Sequence, residues 1–140
     1  MTDCIFCKII AGDLPATKVI EDEQTLAFMD INPGSHGHAL VIPKAHSKDL
    51  TAIGPDDLAA CLSTAQELAR RAMENLGADG VNLINCCGAA AWQTVFHFHL
   101  HVVPRYADGP HRDGLQLPWV PAPGDPGEIA DAARALSNGD

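Results

Sequence analysis

The feature that most constrains this chain is the run Val95-Phe96-His97-Phe98-His99-Leu100-His101-Val102-Val103, in which histidines alternate with apolar residues. Side chains of an extended strand point to opposite faces with a period of two. Written as a strand over Val95 to Val103, the segment puts His97, His99 and His101 on one face. Phe98, Leu100 and Val102 fall on the other. One face can then join a core while the other presents three imidazoles.

That imidazole face admits three readings. It can be a solvated polar face, a metal site or a catalytic centre. Adjacent members of a His-x-His pair suit one ion. His97 and His101 stand about 13 Å apart at about 3.3 Å per residue, so a single ion would take all three only with strain. Neutral imidazole, with an ordinary pKa near ~6.5, is nucleophilic and exchanges protons with its neighbours at neutral pH. The small residues Gly88 to Ala91 make a tight loop ahead of Gln93-Thr94-Val95. Such a loop can turn successive backbone N–H groups toward an anion, and Thr94 adds a hydroxyl. An anion cradle beside a nucleophilic imidazole points to phosphoryl or nucleotidyl transfer.

Composition narrows the partners. At 140 residues the chain is expected to form one domain with one core and no need of disulfides. Nine basic and eighteen acidic residues leave a net charge of -9, which repels nucleic-acid backbones and anionic membranes. No nucleic acid and no membrane is therefore expected as a partner, and a small phosphorylated ligand would need local donors. Met1-Thr2-Asp3-Cys4 lacks a basic leader, and no apolar run is long enough to cross a bilayer. Five cysteines form an odd set with no disulfide framework, which suits a reducing cytoplasmic compartment.

Along the chain, Phe6 to Ala11 reads as a short N-terminal helix stopped by Gly12. Strands follow over Thr17 to Glu21, Thr25 to Asp30 and His38 to Ile42, the first pair forming a hairpin across Asp22-Glu23-Gln24. Asn32-Pro33-Gly34-Ser35 is a turn by composition. Pro55 to Leu76 is one long helix with Pro55 in its first turn and Gly77 as its stop. Its expected core stripe is Leu58, Leu62, Ala65, Ala69, Ala72 and Leu76. Strands over Val81 to Asn85 and Val95 to Val103 complete the set, with Pro104 expected to end the last one. The fold class is α+β: a five-stranded antiparallel sheet with one long and one short helix. Residues 1–105 form the domain. Residues 106–140 read as an irregular extension rich in proline and glycine, with a short helix over Glu128 to Leu136 and Trp119 as a packing anchor or a reach toward an active site.

The run from Gln93 to Val103 resembles the signature of the histidine-triad family of nucleotide hydrolases and transferases. Leu26-Ala27-Phe28-Met29-Asp30-Ile31-Asn32-Pro33 and Gly37-His38-Ala39-Leu40-Val41-Ile42-Pro43-Lys44 resemble that family too, in the right order. The resemblance implies that His99 is the nucleophile at an α-phosphorus and that His101 holds the phosphate and handles protons. It places His38 beside them. Gln93, Thr94 and Val95 would contact the phosphate, Asp30 the ribose, and Phe6, Phe28 and Ile31 the purine. It implies a homodimer joined edge to edge, acting on a purine nucleotide conjugate such as an AMP-phosphoramidate. The alternatives are a dinucleoside polyphosphate hydrolase, an adenylyl-sulfate hydrolase, and a nucleotide-binding interaction protein without turnover. Two positions depart from the family. Trp92 replaces the usual glycine before Gln93, and is expected to wall the leaving-group side. Cys86 stands where an asparagine is usual, with Asn85 one place early.

Cys4-Ile5-Phe6-Cys7 has metal-knuckle spacing. A thioredoxin-like dithiol would follow a strand and cap a helix in a βαβ unit, which is not the pattern here. In the branch of the family that carries this C-x-x-C, the first triad histidine commonly faces the metal. Cys4, Cys7, His46 and His97 would then close one structural zinc site per chain; a reduced, metal-free pair is the alternative. Cys61 reads as helix packing, Cys86-Cys87 as a half-buried vicinal pair, His36 as a turn residue, and His111 as part of a solvated loop.

Overall fold

A computed structural model describes residues 3–116 and 121–137. Helix α1 (Ile5–Ala11) starts at Cys4, whose sulfur accepts the N–H of Cys7, and stops at Gly12 in the left-handed conformation. Strands β1 (Lys18–Glu21) and β2 (Thr25–Met29) follow. Asp22 closes their hairpin by accepting the N–H groups of Gln24 and Thr25 at 2.8 and 2.7 Å. Then come β3 (Ala39–Pro43), α2 (Pro55–Asn75), β4 (Gly80–Asn85), a 3-10 turn over Ala89–Ala91, β5 (Leu100–Arg105) and α3 (Pro126–Ser137).

The five strands form one antiparallel sheet in the order β1-β2-β3-β5-β4. Alternation divides two apolar layers between its faces. Ala27, Ala39, Val41, Phe98, Leu100 and Val102 pack with Cys61, Ala65 and Leu68 of α2. Leu26, Phe28, Leu40 and Ile42 pack with Phe6 and Ile9 of α1. Both faces of β3 are thus covered, and all five of its residues are buried.

Three expectations need correction. First, the regular strand begins at Leu100, so His97 and His99 precede it. Side-chain alternation survives nevertheless, with Phe98 in the α2 layer and His97 and His99 edge-on to Phe6. Second, Pro104 does not end β5 but lies inside it, opposite Val81. The β3–β5 pairing stops at Ala39 opposite Val102. Beyond that point the flank of β5 needs no donor, and the Pro104 carbonyl takes the hydroxyl of Ser35 at 2.5 Å. Third, α2 buries Cys61, Thr64, Ala65, Leu68 and Ala72, while Leu62 is exposed. The helix is turned so that its small residues meet the sheet and the Thr64 hydroxyl bonds that of Thr25 at 2.8 Å.

Beyond β5 the chain is partly fastened. Arg105 donates to both carboxylate oxygens of Asp113 and to the carbonyl of Leu115, and His111 stacks on His36 at 4.2 Å. Helix α3 buries none of its residues. Trp119 lies outside the described residues.

Gly37 makes the tightest backbone approach. It has φ +88, and a Cβ there would meet Leu76 Cδ1 at 2.5 Å and Pro104 Cγ at 3.3 Å. Gly12 has a similar φ of +85 with open space around it. Left-handed strain alone costs about 1–2 kcal/mol, so Gly12→Ala should lose about that much in chemical denaturation. Gly37→Ala should lose measurably more, the excess reporting the clash; equal losses would show that Leu76 and Pro104 simply move aside.

Candidate active site and metal centre

The chain ahead of β5 is held by captures rather than by a ladder. The N–H of Phe98 donates to the Ser47 carbonyl at 2.7 Å. Gln93 is buried and braces the approach: its Nε2 donates to the carbonyls of Lys48 and Val95, and its Oε1 accepts the N–H of Gly88. These bonds occupy the side chain that the resemblance assigned to phosphate contact. They make Gln93 a loop brace, outside the lining of the pocket described below.

Backbone carbonyls then fix the imidazole protons. His97 Nε2 lies 2.8 Å from the Pro43 carbonyl and His99 Nδ1 lies 2.8 Å from the His97 carbonyl. A carbonyl only accepts, so each of those nitrogens carries the proton when the ring is neutral. His97 Nδ1 and His99 Nε2 are left as lone pairs. His38 Nδ1 accepts the N–H of Gly34 at 2.9 Å. Its Nε2 therefore holds the proton and points to His101 Nδ1 at 2.9 Å, with Asp30 Oδ2 3.4 Å away. His101 in turn carries its proton on Nε2.

The lone pair of His97 Nδ1 faces a second cluster. It lies 3.2 Å from His46 Nδ1, 3.5 Å from the Cys4 sulfur and 3.6 Å from the Cys7 sulfur. Cys7 is also 3.3 Å from His46 Nδ1. Tetrahedral zinc with ordinary Zn–N and Zn–S bonds separates two nitrogens by about 3.3 Å and a nitrogen from a sulfur by about 3.5 Å. The donor set and its spacing fit one metal ion at Cys4, Cys7, His46 and His97, as the four potential ligand atoms lie together.

On the α1 side of the sheet a cavity of about 370 Å³ is lined by Phe6, Ile9, Phe28, Asp30, Ile31, Leu40, Thr94, Val95, His99 and His101, among others. Eight of the residues assigned from the sequence to catalysis or nucleotide binding meet here: Phe6, Phe28, Asp30, Ile31, Thr94, Val95, His99 and His101. His38 supports His101 from behind. Phe6 is edge-on to both Phe28 and His99 at 5.5 and 5.1 Å. Ile31 is 90% exposed and forms a free lip. Ile5, Leu14, Pro15, Ala16 and Asn32 also line the cavity and were not anticipated. The apolar turns of α1 and the proline after it were the available signal.

Trp92 does not wall this cavity. It is 85% exposed and sits in the left-handed conformation, with φ 70, at the end of the 3-10 turn. That conformation explains why glycine is the easier residue at this point.

Burial holds His38, His99 and His101 below the ordinary imidazole value, His101 to about 4, with Asp30 opposing the shift in each. The unfolded rings titrate near ~6.5. The unfolded state therefore binds more protons between that pH and about 4. Stability is full above ~6.5 and falls as the pH drops through this window. Thermal melts should show a lower Tm at pH 5 than at pH 7.5, with a shallower fall for His101→Asn. A Tm that rises on acidification would contradict the neutral cluster.

Residues 11–108 match the family model of the HIT domain. The chain is similar to SMU.412c from Streptococcus mutans UA159, at TM-score 0.89 and 39% identity, covering 99% of this chain and 85% of that one. It is similar to a Zn-bound histidine triad family protein from Mycobacterium smegmatis, at TM-score 0.74 and 42% identity, covering 99% of each chain. It is 44% identical over 103 residues to the adenylylsulfatase HINT3 of Arabidopsis thaliana, covering 74% of this chain and about half, 52%, of that longer relative. No described helix is long and apolar enough to cross a membrane. On its sequence, its sheet and its histidine cluster, this chain belongs to the histidine-triad (HIT) family of nucleotide hydrolases and transferases, and its Cys4 and Cys7 fit the zinc-binding branch.

Proposed function

We propose that the chain hydrolyses the bond between the α-phosphate of a purine nucleotide and an amine, AMP-phosphoramidate being the simplest such substrate. The observation that carries this reading is the free lone pair on His99 Nε2, fixed by the Nδ1–H bond to the His97 carbonyl in a ring that lines the cavity. Phe6, Phe28 and Ile31 line the pocket for the base, and Asp30 accepts the ribose hydroxyls. Thr94, Val95 and the Nε2–H of His101 hold the phosphate, with Gln93 bracing their loop. His99 Nε2 attacks phosphorus and the phosphorus–nitrogen bond breaks. The nitrogen leaves as an amine after taking up the Nε2 proton of His101, which the attacking water of the next step replaces. Water then attacks the nucleotidyl-histidine, releasing AMP and restoring the lone pair.

A mixed anhydride such as adenylyl sulfate is the second substrate reading, favoured by the similarity to an adenylylsulfatase. Zinc, one ion per chain at Cys4, Cys7, His46 and His97, would be structural, and a reducing cytoplasm suits its thiolates. The same reading takes the chain as a homodimer through the edge strand β4, where Leu83 is half exposed.

His99→Ala should abolish AMP release from AMP-phosphoramidate, by several orders of magnitude, while AMP binding stays within a few-fold. Activity within about tenfold of the wild type, ~1.4 kcal/mol in the barrier, would move the nucleophile elsewhere. Elemental analysis should find about one zinc per chain. Replacing both Cys4 and Cys7 by serine should remove it and lower Tm with a smaller effect on chemistry; freshly folded, metal-free wild-type protein would refute the zinc assignment.

A further inference from the structure

The last β4–β5 pair is Asn85 opposite Leu100. Beyond it the chain leaves β4 for Cys86, Cys87 and Gly88, while the other strand continues back to His99. The carbonyl of His99 is thus the first on that strand past the end of the ladder. Asn85 reaches across to it, its Nδ2 donating at 2.9 Å. The side-chain amide replaces the backbone N–H that another rung of the ladder would have supplied. Its own Oδ1 is buried and has no protein partner among the described residues. A buried acceptor left unsatisfied is uncommon and calls for a reason at the site where it occurs. Here the amide is committed to the peptide carbonyl of the residue with the free Nε2 lone pair, at the expense of its own oxygen.

We infer that Asn85 is a positioning residue for the nucleophile, holding the His99 peptide so that the ring keeps its Nδ1–H bond to the His97 carbonyl and its Nε2 in the cavity. This rests on the proposed function for its kinetic consequence, but its geometric content stands independently. The two captures act on one residue, one on its ring and one on its backbone. The His97 carbonyl fixes the ring and Asn85 fixes the backbone from which the ring hangs. Neither alone fixes the line from Nε2 to an incoming phosphorus, and in-line attack tolerates little misplacement.

Asn85→Asp keeps the shape of the side chain and replaces the donor by an acceptor. With AMP-phosphoramidate it should lower kcat at least tenfold, while inhibition by AMP stays within threefold and the metal content is unchanged. Asn85→Ala should behave alike. In 15N-histidine NMR spectra the wild-type His99 should show one neutral tautomer with the proton on Nδ1, and the variants a mixture. Wild-type kcat and tautomer in a folded variant would overturn the inference, and so would a parallel loss of AMP binding and kcat. Should neither variant fold, the wild type decides. A slowly exchanging Asn85 side-chain amide supports the inference, and rapid exchange overturns it. If the wild type releases no AMP while the variants still lose the single tautomer, the proposed reaction fails and the positioning role stands.

Discussion

The site depends on a constraint that is easy to overlook: a peptide carbonyl can only accept. Three imidazoles of the cluster meet a backbone group that dictates where their proton resides. The carbonyls of Pro43 and His97 take protons from His97 and His99, and the N–H of Gly34 forces the opposite tautomer on His38. One run of histidines thereby serves two destinations. His97 turns a lone pair to the cysteines, and His99 turns its own to the cavity. Residue type supplies the nitrogens, and the fold sorts their protons.

The same economy governs charge. The chain carries a net charge of -9, and the described residues lining the cavity include no lysine or arginine. An anionic ligand must be met there by neutral donors, and burial keeps the nearby rings uncharged. Neutral donors in a site shielded from water act more strongly than they would in solvent. Neutrality has a second consequence: it leaves His99 Nε2 the lone pair that the proposed reaction requires.

Much of this was legible in the alternation of the histidine run, because side-chain direction depends on extended backbone and not on a complete ladder. For the same reason the alternation could not show where the strand begins: His97 and His99 keep their facing although regular pairing starts only at Leu100. The cysteine knuckle could be read from spacing, as both thiols lie on the first turn of one helix. The rotation of α2 could not. Leu62 looks like core by hydropathy, yet the face turned to the sheet is that of Cys61, Thr64, Ala65 and Leu68. Gln93 was legible as a site residue by position but not as a brace, because its partners, Lys48 and Gly88, come from loops whose meeting is a tertiary fact.

Pro104 sits in an interior strand, on the stretch of its flank that β3 does not reach. An uncovered flank of strand is ordinarily a template on which a foreign chain can add itself. Here the notch offers almost nothing to copy. Proline has no N–H to give, Ser35 has taken its carbonyl, and Gly37 lets the turn press against the ring without a side chain in the way. The sheet is sealed against extension at that point, and a small acidic protein with two apolar sheet faces carries one fewer seed for aggregation.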